Sequence, residues 1–217
     1  MMENSVVKQV KELRKQVEAC IIDDEFKGYK ASPFLKLIIG ILDANIYEDE
    51  DSLVFLYENY LYVVYKYKRM GRFSLSAKYE EKALDIALTL YCGHNKKMKD
   101  VDTLLYDILV DRNYYKDDDC YDVLDKVRET HLIDPNTIET INNRVMMRRR
   151  SLNHGPVEMG EEYLAVIDEV EEKIDKNRTL WGMGSCHEVW NLKFQYLLEK
   201  GISWKSPSVL NPRVMFD

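Results

Sequence analysis

The sequence predicts an all-α fold of stacked antiparallel helical hairpins, about nine helices forming a single domain over residues 1–217, and three observations carry that prediction. Glycine and proline together supply only 14 of 217 residues. That is about half the usual share of roughly 12%, too little for the many tight turns of a sandwich or barrel. Three prolines mark helix starts. Ser32-Pro33, Asp134-Pro135 and Gly155-Pro156 each put a capping-type residue before a proline at the first helical position, where the missing N–H costs nothing. Apolar residues also recur at spacings of three and four along most of the chain.

The first helix, 4–23, carries the stripe Val6, Val10, Leu13 and Val17. Pro33 opens the second, 33–45, with Phe34, Leu37, Ile38 and Ile41 on one face. The third, 51–70, is rich in strand-favouring residues over 51–68, but those eighteen positions without Gly or Pro would make an unusually long strand. Asp51 or Ser52 supplies its cap. Gly71 separates it from 73–92. Leu104, Leu105, Ile108 and Leu109 define 98–113, and Val123, Leu124 and Val127 define 118–132. Pro135 and Pro156 open 135–152 and 156–177. Ser185-Cys186-His187-Glu188 reads as a capping box for the ninth helix, 185–200, with the Ser185 hydroxyl on the Glu188 amide and the Glu188 carboxylate reaching back. More than about 60% helix follows, well above the usual third.

Composition narrows the function. Hydrophobic residues at 46% and charged residues at 32% describe a globular protein. The net charge of −7 disfavours general attraction to nucleic acid or an anionic membrane. The start of the chain shows no signal peptide, and the longest apolar run, 34–42, is broken by Lys36 and too short to span a bilayer. Cys20, Cys92, Cys120 and Cys186 are scattered without a C-x-x-C pair, which reads as reduced thiols and a cytoplasmic location. His94, His131, His154 and His187 show no paired metal spacing, and Asp117-Asp118-Asp119 lacks the glycine and distal glutamate of a calcium loop. No metal or cofactor is expected. Arg144, Arg148, Arg149 and Arg150 read as a solvated or acid-pairing helix face rather than a nucleic-acid site.

Residues 57–90 resemble the tetratricopeptide repeat, a 34-residue helix-turn-helix unit. Tyr60 and Tyr67 occupy the large positions of its first helix, Met70-Gly71-Arg72-Phe73 its turn, and Tyr79 to Ile86 its second helix, with small Ala83 at the helix crossing. A second echo runs over 104–137, with Tyr114 and Asp134-Pro135 in place. The resemblance implies a concave surface lined by first helices, with Glu58, Leu61, Tyr65, Lys68 and Arg69 facing a groove for a peptide or protein. The Lys and Asn that clamp a C-terminal carboxylate in some members are replaced here by Leu61 and Tyr65.

Trp181, Trp190 and Trp204 all fall within 24 residues. Cys186-His187-x-x-Trp190, followed by Gly201-Ile202-x-Trp204-Lys205-Ser206-Pro207 and Asn211-Pro212-x-x-x-Phe216-Asp217, resembles the C-terminus of a family of uncharacterised helical proteins from Gram-positive bacteria. His187, Trp190, Phe194 and Leu197 lie on one helical face. Cys186 at a helix N-terminus, entered through Gly182 and Gly184, has the setting of a reactive thiolate. Adjacent helical residues point about 100° apart, however, which places His187 poorly as its base. Trp181, Cys186, His187 and Trp190 thus form a second candidate site. The primary reading is a peptide- or protein-binding module. The alternatives are an enzyme using Cys186 and His187, and a subunit that forms a homodimer through its Tyr-rich or Trp-rich face. The apolar tail from Trp204 to Phe216 is expected to fold back on the last helix and bury Trp204.

Overall fold

The computed structural model describes residues 4–22, 25–45, 48–115, 120–147, 152–182 and 184–216. Helices hold 76% of them, as the scarcity of glycine and proline requires. They are α1 (Asn4–Glu18), α2 (Gly28–Asp43), α3 (Glu50–Arg69), α4 (Phe73–His94), α5 (Val101–Tyr115), α6 (Cys120–Thr130), α7 (Pro135–Met147), α8 (Glu161–Asn177), α9 (Ser185–Glu199) and α10 (Pro207–Leu210), with a 3-10 turn at Pro156–Met159. The chain divides into two compact units, Met1–Arg149 and Arg150–Asp217, each with its own apolar core.

In the first unit successive helices pack on one another from α1 to α5, and α6 and α7 close against α4 and α5. Its centre is the pair α3 and α4. Asp49 caps α3, its carboxylate accepting the Ser52 amide at 3.1 Å and the Ser52 hydroxyl at 2.8 Å; the cap therefore lies two residues before the expected Asp51. Glu50 and Asp51 in the first turn and Lys66, Lys68 and Arg69 in the last complement the helix dipole. Gly71, in the left-handed region at φ 67°, lets the Arg72 amide return to the Tyr67 carbonyl at 2.9 Å and reverses the chain. The far ends meet too, through Lys96 Nζ to Glu50 Oε1 at 2.6 Å, so the two helices run antiparallel. Ala83, fully buried, presents only a methyl group, so neighbouring helices can approach closely.

Three local expectations are corrected. First, α2 begins at Gly28, so Pro33 lies inside it rather than at its start. The five added residues place Ala31 and Ser32 in the core, and Ser32 Oγ accepts from the buried Arg72 guanidinium at 3.2 Å. Pro33 itself is exposed. Second, the first helix stops at Glu18, and a small antiparallel hairpin follows, β1 (Ile21–Ile22) with β2 (Glu25–Phe26), Ile21 opposite Phe26. β-branched Ile21 and Ile22 suit that strand. Third, the expected helix 156–177 is broken at Gly160, whose extended backbone separates the 3-10 turn from α8.

The second unit packs α8 on α9. Tyr163, Ile167, Val170 and Ile174 form the buried stripe of α8, and Leu197, Ile202 and Trp204 complete the core. The tail folds back at defined points. Trp204 is 2% exposed. Asn211 clasps Asn153, accepting its amide at 2.7 Å and donating to its carbonyl at 3.1 Å. Phe216 stands edge-on to Trp190 with ring centres 5.0 Å apart. Val209, Val214 and Met215 remain exposed, so the return rests on anchors rather than on a continuous apolar strip.

Candidate binding site

The residues expected to line a groove on α3 have unequal surroundings. Tyr65 is 57% exposed, Glu58 and Arg69 are exposed, and Leu61 is half-buried against the core. The Arg69 guanidinium lies 4.9 Å from the centre of the Phe26 ring, a cation–π contact within the fold. Lys68 is committed to carboxylates: its Nζ meets Glu80 at 2.6 Å, Asp107 at 2.8 Å and Asp111 at 3.8 Å. As a cation offered to an acidic peptide it is already neutralised.

A wide-open cleft of about 400 Å³ lies between the end of α2, α3 and α4. Tyr60, on its wall, and Tyr65 point roughly 140° apart around α3, so this cavity and the expected groove occupy different faces. Leu42, Leu53, Leu56 and Ile86 form its apolar floor, and Asp43, Asn45, Tyr60, Lys82 and Asp85 its polar edge. The edge is pre-set by hydrogen bonds. Tyr60 Oη and Lys82 Nζ both donate to Asp43 Oδ1, the lysine at 2.6 Å. Burial alone would raise the Asp43 carboxyl, but these two donors outweigh it and hold it below its ordinary range. Burial, then the Asp43 carboxylate, pushes the Tyr60 phenol far above its ordinary value, so it remains a donor. The Tyr60 and Tyr67 rings both stack on Tyr79, at 6.1 and 5.9 Å, which fixes the wall of the cavity.

Each part of this arrangement has a local origin. Asp43 closes α2. Leu53, Leu56 and Tyr60 recur at spacings of three and four on α3, and Lys82 and Ile86 lie one turn apart on α4. The sequence places Tyr60 and Tyr67 at the large positions of the first helix and Tyr79 in the second, but gives Asp43 and Lys82 no role. The available signal was a carboxylate at the end of one helix and a lysine on another, with nothing local to join them.

In the second unit Cys186 is the second residue of α9 and partly exposed. His187 is exposed, with its ring edge-on to Trp190 at 5.3 Å and Nε2 3.4 Å from the Phe216 carbonyl, so its contacts face the tail. The expected capping box is not formed. Gly184 is the cap residue, and the Ser185 hydroxyl donates back to the Gly182 carbonyl at 2.7 Å. The Glu188 carboxylate instead accepts the Thr179 amide and hydroxyl and the Leu180 amide at 2.7 to 3.1 Å. Those donors hold its pKa below the ordinary value. Gly182 and Gly184 both take positive φ, which turns the preceding loop toward Glu188 and the Ser185 hydroxyl away from the helix amides. Trp181 is exposed and covered on one face by the Arg178 guanidinium, 3.4 Å from its ring centre. The structure thus brings His187 and Trp190 together with Phe216, and places Trp181 beside Arg178.

Among the described residues no group of three or more His, Cys, Asp or Glu side chains is arranged to hold a metal ion, and no helix is long and apolar enough to cross a membrane. Comparison with family models, curated proteins and solved structures finds no match to this chain.

Proposed function

We propose that the chain is a peptide- or protein-binding helical module whose receptor site is the cavity between α2, α3 and α4. The observation that carries this reading is the cavity's composition: four aliphatic side chains below a rim of Asp43, Asn45, Tyr60, Lys82 and Asp85, at about 400 Å³. That volume is in the range of ligand pockets, roughly 300–1,000 Å³. A floor of this kind takes one large apolar side chain as an anchor, and the rim offers carboxylate acceptors and the remaining N–H donors of Lys82, itself paired with Asp43, to the polar backbone on either side of it. The likeness of residues 57–90 to the tetratricopeptide hairpin supports the same class of function, but it directs attention to the Tyr65 face rather than the Tyr60 face.

The test is selection of peptides from a random displayed library on the wild-type protein, with counter-selection on Ile86→Glu. Ile86 is half-buried at the cavity, so a carboxylate there fills and charges the pocket without opening a hole in the core. Enriched sequences should share one large apolar residue and should lose binding to the variant. Peptides that bind wild type and Ile86→Glu equally would refute the cavity as the receptor site.

A further inference from the structure

A second cleft, of about 430 Å³, lies between α5 and α7. Among the described residues that line it Ile141 alone is aliphatic, and the others include Asp102, Tyr106 and Asp107 of α5 and Thr137, Thr140 and Arg144 of α7. Helical spacing gathers them: Thr137, Thr140, Ile141 and Arg144 recur at three and four along α7, and Asp102 and Tyr106 are one turn apart on α5. The three charged side chains differ in what they meet. Asp107 is paired with Lys68 at 2.8 Å. The Arg144 guanidinium lies 4.9 Å from the centre of the Tyr106 ring and, among the described residues, meets no carboxylate. Asp102, among the same residues, meets no cation. A carboxylate and a guanidinium thus share one cleft without pairing, because α5 carries Asp102 a full turn, about 6 Å, from the ring that Arg144 covers. Thr140 donates its hydroxyl to the Asn136 carbonyl at 2.8 Å and Thr137 its own to Asp134 at 3.4 Å, which leaves both hydroxyl oxygens as acceptors.

We propose that the cleft between α5 and α7 binds a small zwitterion, a free amino acid or short peptide whose carboxylate meets Arg144 and whose ammonium meets Asp102. The guanidinium fork takes a carboxylate through two parallel N–H donors, and its contact with Tyr106 restricts the orientations it would lose on binding. An ammonium carries three donors and no acceptor, which suits the Asp102 carboxylate and the two threonine oxygens. A simple anion would meet Arg144 but also the carboxylates of Asp102 and Asp107. A simple cation would meet Asp102 but be repelled by Arg144. A ligand carrying both charges matches both side chains. The cleft shares no lining residue with the one between α2, α3 and α4, so either can bind without the other.

The experiment is NMR titration of the full chain with glycine, glycylglycine and triglycine, following the Arg144 Nε–H and the Thr140 and Ile141 methyl signals. These signals should move with at least one probe, and the length that binds most tightly tells an amino acid from a peptide as the ligand. N-acetylation or C-terminal amidation of that probe should each weaken it about fivefold or more, the worth of one charged contact at a half-open site. Asp102→Asn and Arg144→Gln in the protein should do the same. Both side chains are exposed, so the variants should keep the fold, which their amide spectra check, and the blocked probes test the same contacts on wild type. No shift with any probe, or blocked probes that bind as tightly as the unblocked one, would overturn the proposal.

Discussion

Trp204 donates its indole N–H to Glu158 Oε1 at 2.6 Å and so fastens the C-terminal tail to the 3-10 turn 46 positions earlier. His154 Nδ1 lies 3.2 Å from the other oxygen of the same carboxylate. A tail that sequence alone marks only as too apolar to be solvated is thereby held by a specific, partly buried hydrogen bond.

Trp204→Phe keeps most of the buried ring and deletes the donor. Losing this hydrogen bond to a carboxylate should cost the fold about 1–3 kcal/mol. The cost appears as a lower urea midpoint for the second unit with an unchanged slope. A midpoint equal to wild type would mean that the indole N–H does not hold the tail.

Glu158 also sets an acid limit. Burial would raise its carboxyl, but His154, Lys193 and Trp204 outweigh burial and hold it below the ordinary 4.5. A depressed carboxyl contributes stability that is present above its unfolded value and is lost as pH falls through its folded one. Tryptophan fluorescence should therefore report release of Trp204 at a pH below 4.5, and Glu158→Gln should flatten that transition. An equally steep acid transition in the variant would assign it to other carboxylates.

Pro33→Ala should stabilise the protein. At the sixth residue of α2 a proline removes one helical hydrogen bond and disfavours helical geometry at Ser32. Alanine restores a donor toward the Tyr29 carbonyl and should gain about 1–3 kcal/mol. Thermal unfolding reads this directly. A loss of stability would place the start of α2 at Pro33 after all.

The elements legible in the sequence are those whose signals lie within one turn of each other. Asp134 before Pro135 caps α7 by accepting the Thr137 amide at 3.1 Å, as the local pattern requires. The long tyrosine-rich segment is one helix because nothing within it can turn. Where the sequence misled, a distant partner outweighed the local signal. Ser32-Pro33 reads as a helix start, but burial of Ala31 and Ser32 and the Arg72 contact extend α2 backwards. Ser185 and Glu188 have capping-box spacing, but the loop amides of Thr179 and Leu180 compete for the same carboxylate. The cavity rim was hidden for a related reason. Asp43 stands 17 positions from Tyr60 and 39 from Lys82, so only the packing of α2, α3 and α4 assembles it. Lys68 looked like a free groove cation because its partners, Glu80, Asp107 and Asp111, lie on the next two helices.

The most direct measurement of the central claim is methyl NMR of the protein with labelled Leu, Ile and Val side chains, titrated with a peptide enriched in the selection described above. Shifts should centre on Leu53, Leu56 and Ile86, Lys82→Ala should weaken the peptide, and Tyr65→Ala should leave its affinity unchanged. Shifts that centre instead on Leu61 beside Tyr65, or on Leu198 of α9, together with lost binding in Tyr65→Ala, would contradict it.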